Sequence, residues 1–339
     1  MGAIPPAFIW GWGLIAEVPA TIDAIDARWV SLVVGSADVS EITTNRIGEG
    51  FGLAAETHRV DIVDADMPPL AVKLCDAATA DAEVHVYRHV LSRTNMSRPV
   101  LVEAATEGER GVVVYEYIAG ATQGDILAGC SDATLARIID GLAELHAAWW
   151  CRAGDAGVPA AGERMRRELT DAHIDACLER LGGALEPDAV ALIRSMPGRV
   201  DDVIDELVSH PLTVVHADAH LDNVLIRGDG SPVILDWSTA RVAPAALDLA
   251  RIQIECMMPE QRRRLRSRMA QRHHRALTDR GIGDYSIEEL ERAVDLAHLA
   301  FIPGLVRWGA RERRKDHPAR ADLLLRAGLI ATTDALLGR

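Results

Sequence analysis

The residues best suited to chemistry lie in one run, His216-Ala217-Asp218-Ala219-His220-Leu221-Asp222-Asn223, and in Asp236, thirteen positions beyond Asn223. Each group adjoins a short apolar stretch, the usual way a chain sets reactive side chains on a rigid support. Phosphoryl transfer asks a protein for a carboxylate that orients the acceptor hydroxyl and for oxygen ligands that hold magnesium against phosphates. Asp218 can be the first. Asn223 and Asp236 can supply the second, since magnesium takes a few carboxylate or amide oxygens beside phosphate and water. A D-x-x-x-x-N spacing alone is an ordinary turn or cap. The apolar residues before His216, and Ile234-Leu235-Asp236-Trp237 after a hairpin turn, make the combination far more specific.

A second cluster lies earlier in the chain. Of 36 basic side chains only Lys73 and Lys315 are lysines. Lys73 sits within Leu70-Ala71-Val72-Lys73-Leu74, where a compact ammonium on a flexible stem can reach phosphate oxygens that a planar guanidinium would meet differently. The alternative is a lysine guarding an edge strand. A charge directed inward needs a partner, and Glu83, on the helical stretch that follows, is placed to provide one. About twenty residues ahead of Lys73 lie Gly48, Gly50 and Gly52, in a turn whose amides could approach phosphate closely. No Gly-Lys pair occurs, so a P-loop is excluded. The residues after these glycines predict a strand where a dinucleotide-binding fold needs a helix.

The elements that must position these groups follow from periodicity. Residues 22–34 predict a short helix. Residues 41–47, 57–63 and 70–74 are runs rich in β-branched side chains, residues 80–91 carry apolar positions at helical spacing, and 100–104 and 111–118 predict two more strands. After Gly120 the pattern is helical over 132–150, 163–181, 188–208, 260–279 and 287–306. It is interrupted by strands near 213–215, 224–227 and 233–235 about a Gly228-Asp229-Gly230 turn. The expected fold is α+β and bilobal. Residues 1–118 form an N-terminal extension plus a small antiparallel-sheet lobe holding one helix, and residues 119–339 form a larger, mainly helical lobe.

With these motifs in place, the chain resembles the aminoglycoside phosphotransferase and choline kinase superfamily, relatives of the eukaryotic protein kinases, over about residues 29–251. The Gly-rich turn, the residues around Glu83 and the N-terminal extension look closest to its ecdysteroid-kinase-like branch. The resemblance implies a protein-kinase-like fold and a kinase that transfers the γ-phosphoryl group of ATP to a hydroxyl of a small-molecule acceptor. It implies that Asp218 is the catalytic base, that Asn223 and Asp236 bind Mg2+, and that His216 and His220 brace the loop. It further implies that Lys73 and Glu83 orient the α- and β-phosphates near the glycine turn. Glu116 and Ile118, at the end of the apolar run 112–118, would offer backbone groups to the adenine edge. Leu142-Ala143-Glu144-Leu145-His146 and Ala246-Leu247-Asp248-Leu249-Ala250 resemble the family's helix ahead of the catalytic loop and its Asp-Leu-Ala segment. Ala217 stands where the family often has Gly, a departure that removes no charged group.

Composition narrows the alternatives. A formal net charge of -14 disfavours nucleic acid and anionic membranes as partners. Seven arginines between Arg262 and Arg275 read as a solvated helix face rather than a nucleic-acid patch. Five cysteines, with no C-x-x-C pair, read as reduced thiols of a cytoplasmic protein. The apolar residues 7–16 lack a basic flank and are too short to span a bilayer, so residues 1–20 are expected as an extension packed on the fold. Loss of the base, a metal ligand or the lysine would favour a nucleotide-binding pseudokinase, and all are present. Only eleven residues separate Asp236 from Asp248, too few for the activation segment of a protein kinase. An acidic cleft would suit an aminoglycoside or choline as acceptor, while the apolar residues 301–308 would suit a sterol-like alcohol.

Overall fold

The computed structural model describes residues 17–35, 39–48, 56–63, 66–311 and 318–338, which divide into two units. One comprises the described residues up to Arg88 together with Arg98–Gly120. The other comprises His89–Ser97 and the described residues from Ala121 onward.

In the first unit a 3-10 turn at Ile22–Ala24 leads into α1 (Ala27–Val34). Asp26 starts α1 by accepting the Trp29 N–H at 2.7 Å, and Gly35 ends it in the left-handed conformation. Then come β1 (Ile42–Ile47), β2 (Glu56–Ile62), β3 (Leu70–Asp76), α2 (Ala77–His85), β4 (Leu101–Glu107) and β5 (Arg110–Glu116). Between α2 and β4 the chain passes through a π turn at Val86–Val90 and a 3-10 turn at Leu91–Arg93.

The strands form one antiparallel sheet in the order β1-β2-β3-β5-β4. β3 is therefore a central strand, which rules out an edge-guarding role for Lys73. Side chains alternate across it. Leu70 and Val72 join Val60, Val112, Val114 and the α1 residues Trp29, Val30 and Val33 in an apolar core on one face. Lys73 projects from the opposite face, toward α2. That helix can lie close because Gly111 lacks a Cβ: a methyl there would sit 2.6 Å from the Ala80 Cβ. Of the N-terminal extension, Val18 is buried in the core and the Glu17 carbonyl accepts Trp29 Nε1–H at 3.2 Å. Residues 1–16 lie outside the described residues.

The second unit contains, in order, β6 (Thr122–Gln123), α3 (Asp132–Ala148), α4 (Ala161–Met165), α5 (Asp171–Leu181), α6 (Pro187–Arg194), α7 (Val200–Val208), β7 (Leu212–Val215), β8 (Val224–Ile226), β9 (Pro232–Ile234), β10 (Arg241–Pro244), α8 (Ala246–Glu255), α9 (Pro259–Thr278), α10 (Ile287–Gly309) and α11 (Pro318–Leu336). Two helices expected to be continuous are broken. The run 163–181 splits into α4 and α5, with Thr170 capping α5 in a capping box with His173. The run 188–208 splits into α6 and α7 at Pro197-Gly198, where Gly198 has φ 77. The segments β6, β10, α8 and α11 were not expected as elements.

α3 buries Leu135, Ile138, Ile139, Leu142 and Leu145, a helical stripe, and packs on α9, while α10 packs against α5, α7, α8 and α11. The arginines of α9 are not simply a solvated face. Arg264 and Arg272 each reach an aspartate of α3, Asp132 and Asp140, at 2.7 Å, and Arg262 is buried with its guanidinium donating to the Gln253 and Met257 carbonyls. Among the described residues no helix is long and apolar enough to cross a membrane. All five cysteines are free thiols.

Candidate active site

Two antiparallel strand pairs carry the polar run: β7 with β10, and β8 with β9, β8 being flanked on its other side by β6. β7 ends at Val215 and delivers the chain into the run, and β8 starts immediately after Asn223. Val224 faces Ile234, and the Leu235 N–H donates to the Asn223 carbonyl at 2.8 Å, so Asn223 and Asp236 emerge side by side at one end of the hairpin. The expected turn closes the other end, with the Gly230 N–H donating to the Arg227 carbonyl at 2.8 Å.

Ala217 (φ 66) and Asp236 (φ 56) both take the left-handed backbone region, in which an L side chain costs about 1–2 kcal/mol. Asp248, fully buried on α8, holds Ala217 there. Its Oδ2 accepts the His216 N–H and its Oδ1 the Ala217 N–H, each at 2.8 Å. Its third partner is His146 Nε2 on α3, at 3.2 Å, and His146 Nδ1 lies 2.8 Å from His273 Nε2 on α9. Burial, reinforced by His146, pushes the His273 pKa well below its ordinary value. His146 on α3 thus ties Asp248 on α8 to His273 on α9. Burial works against ionisation of Asp248, but His146 and His216 outweigh it and the carboxyl titrates below its ordinary range. His216 fastens the loop to the hairpin: Nε2–H donates to the Leu235 carbonyl at 2.8 Å, Nδ1 accepts the Asp218 N–H at 3.2 Å, and the ring meets Trp237 edge-on.

Asp218 Oδ1 lies 3.0 Å from the Arg251 guanidinium, and Oδ2 accepts from Asn223 Nδ2 at 3.3 Å and lies 3.3 Å from His220 Nε2. Burial opposes its ionisation, but Arg251 and His220 more than offset this and hold the carboxyl well below the usual carboxylate range. At neutral pH it is a fixed carboxylate. Burial likewise disfavours a charged His220, and Asp218 reverses the balance, raising the histidine's pKa. Arg251 is in turn gripped by both carboxylate oxygens of Glu255, each at 3.0 Å, and its guanidinium lies over the Phe301 ring.

Asn223 donates its amide nitrogen to the Asp218 carbonyl at 3.1 Å as well as to the carboxylate, so these loop contacts use the nitrogen and not the amide oxygen. Asp236 Oδ1 accepts the Ser238 hydroxyl at 2.8 Å. An amide oxygen and a carboxylate side by side form a donor set that suits magnesium already carrying phosphate and water ligands. Among the described residues no group of three or more His, Cys, Asp or Glu side chains gathers as a protein-only cage, which such a magnesium does not need.

Between Asp218 and Asn223 in the sequence stands Asp222, whose side chain is only 4% exposed. Its Oδ1 accepts the Ile126 N–H at 2.9 Å, its carbonyl accepts Gln123 Nε2–H at 2.8 Å, and Arg320 on α11 donates to both carboxylate oxygens and to Asp125 at 2.9–3.0 Å. Gly124 lets this segment abut the loop, since a Cβ there would lie 2.4 Å from the Leu221 carbonyl oxygen. Arg320 thus bridges two carboxylates beside the loop. Arg320→Met is expected to lower unfolding free energy by about 2–3 kcal/mol, because Asp222 stays buried without its cation. Arg320→Met/Asp222→Asn is expected to recover part of that loss in urea denaturation.

In the first unit, Lys73 Nζ lies 2.7 Å from Glu83 Oε2, and both side chains are buried, the glutamate almost completely. Gly48 has φ 72 at the end of β1, while Gly50 and Gly52 lie outside the described residues. Glu116 closes β5, opposite Leu70, with its N–H on the Val100 carbonyl at 3.0 Å, and Ile118 follows half-buried. The sequence reading missed Arg251, Glu255 and the Asp222–Arg320 pair. Arg251 directly follows the Asp-Leu-Ala segment and could have been found there, whereas Arg320 has no local motif.

A family model described as "Phosphotransferase enzyme family" matches residues 48–285 of the chain. Among solved structures, the fold is similar to a spectinomycin phosphotransferase in complex with ADP and spectinomycin, with a TM-score of 0.55 and 13% identity over 88% of this chain and 94% of that one. It is similar also to a variant of aminoglycoside 2′-phosphotransferase IIIa in complex with GDP, with a TM-score of 0.52 and 15% identity over 87% of this chain and 93% of that one. At these identities the likeness speaks to the fold. No curated protein matches the chain in sequence.

Proposed function

The chain belongs to the phosphotransferase enzyme family, and from that premise we propose that it transfers the γ-phosphoryl group of ATP, with magnesium, to a hydroxyl group of a small molecule. One observation carries the reading: an ionised carboxylate, an amide oxygen and a second carboxylate meet at one end of the β8–β9 hairpin. Asp218 orients the acceptor hydroxyl and takes its proton. Asn223 and Asp236 hold the metal, which when bound offsets the negative charge of the phosphates. Lys73, whose ammonium pairs with Glu83, contacts the phosphates that are not transferred. Gly48, Gly50 and Gly52 lend backbone amides to the phosphates, and Glu116 and Ile118 lend backbone groups to the base. Arg251 keeps Asp218 charged and fixes one of its oxygens.

The solved neighbours named above carry ADP with spectinomycin in one case and GDP in the other, which supports a nucleotide-dependent transfer to a small hydroxylated compound. Every side chain whose loss would mark a pseudokinase is retained. The test is nucleoside diphosphate release, with and without magnesium, from ATP and from GTP, across hydroxylated acceptors. Magnesium-dependent release stimulated by one acceptor class is the expected result. Failure to bind magnesium–nucleotide at all would overturn the reading.

A further inference from the structure

Two imidazoles and a carboxylate lie together in the interior of the second unit: His146 on α3, Asp248 on α8 and His273 on α9, all fully buried. Burying such groups is costly, and the helices do not need them in order to pack. α3 presents an apolar stripe, and α9 buries Leu265, Met269 and Leu277. Arg264–Asp132 and Arg272–Asp140 bridge α9 to α3 as well.

What the polar chain does reach is the loop that carries Asp218. Asp248 accepts the His216 and Ala217 N–H groups at 2.8 Å each, and Ala217 sits at φ 66, where an L residue stays only when it is held. A carboxylate only accepts, so the His146 Nε2 that faces Asp248 at 3.2 Å must carry a hydrogen. The ring is kept in that orientation through its other nitrogen, Nδ1, which meets His273 Nε2 at 2.8 Å. His273 Nδ1 has no hydrogen-bond partner among the described residues, so the ring acts through Nε2.

Resting on the kinase reading of Asp218, we propose that His273 is a positioning residue for phosphoryl transfer. It orients His146, His146 orients Asp248, and Asp248 holds Ala217 in its strained conformation and with it the adjacent Asp218.

The test is a double-mutant cycle between His273 and Ala217. His273→Leu is expected to lower kcat about 5- to 30-fold, the rate equivalent of the strain at Ala217, with nucleotide KM changed less than about twofold. His273→Gln, whose amide reaches the place of Nε2, is expected to keep most of the wild-type kcat. In the Ala217→Gly background the strain is absent, and His273→Leu is expected to cost less than about twofold. Equal losses in both backgrounds overturn the proposal, as does a His273→Gln variant as slow as His273→Leu. Should His273→Leu fail to fold, His273→Asn, whose amide falls short of His146, replaces it in the cycle. Hydrogen exchange at the His216 and Ala217 amides needs no turnover and is expected to quicken about tenfold in His273→Leu. Unchanged exchange overturns the proposal by itself. A wild type that transfers no phosphoryl group fails the kinase reading, while the exchange rates still report on the link from His273 to the loop.

Discussion

Lys73→Met is expected to destabilise the sheet-bearing unit by about 3–5 kcal/mol and to lower turnover about 10²- to 10³-fold, for two different reasons. The stability loss comes from Glu83. Its carboxylate sits 2.7 Å from the lysine and is almost fully buried on α2, so removing the cation strands a charge in the interior. The turnover loss comes from the missing ammonium on the phosphates. The two effects separate in Lys73→Met/Glu83→Leu. Exchanging a buried ion pair for apolar side chains of similar size is often neutral for stability, so the double variant should unfold near the wild-type denaturant midpoint and still fail to turn over. If the double variant regains activity along with stability, the pair is structural only.

Asp218→Asn is the second large effect, an expected fall of about 10²- to 10⁴-fold in kcat with little change in nucleotide affinity. An asparagine oxygen can still accept from Arg251, and Arg251 keeps both contacts with Glu255, so the loop should hold its place. What the substitution removes is the negative charge that receives the proton. A matched collapse of nucleotide binding and thermal stability would instead mean that the Asp218–Arg251 pair serves the fold.

Much of this arrangement was legible in the sequence because its determinants are local. The Asp218, Asn223 and Asp236 spacing follows from one loop and one hairpin, whose Gly228-Asp229-Gly230 turn is written in the chain. Lys73 stood out through the scarcity of lysine and its place inside an apolar run. That β3 is central rather than marginal was not readable, since strand order depends on pairing with β5, which arrives after α2. Helix breaks were missed unevenly. Pro197-Gly198 carried the signal to end α6, and the helical periodicity simply overran it. The break at residues 166–170 has no glycine or proline to announce it.

The charges that restrain the loop were the least visible. Arg251 and Arg320 look like any other arginine in a chain rich in them, and their meaning appears only when folding brings α8 and α11 to Asp218 and Asp222. The His146–Asp248 pair was half visible: both residues lie in segments with a family resemblance, but the two amides that Asp248 holds, and with them the strained Ala217, belong to tertiary structure.

The central claim, transfer of a phosphoryl group to an acceptor hydroxyl, is tested most directly by phosphorus NMR of the protein with magnesium–ATP and the acceptor that best stimulates ADP release. A phosphomonoester resonance should grow as the γ-phosphate signal of ATP declines, in the wild type and not in Asp218→Asn. Appearance of inorganic phosphate alone, at equal rates in the wild type and in Asp218→Asn, would contradict the account.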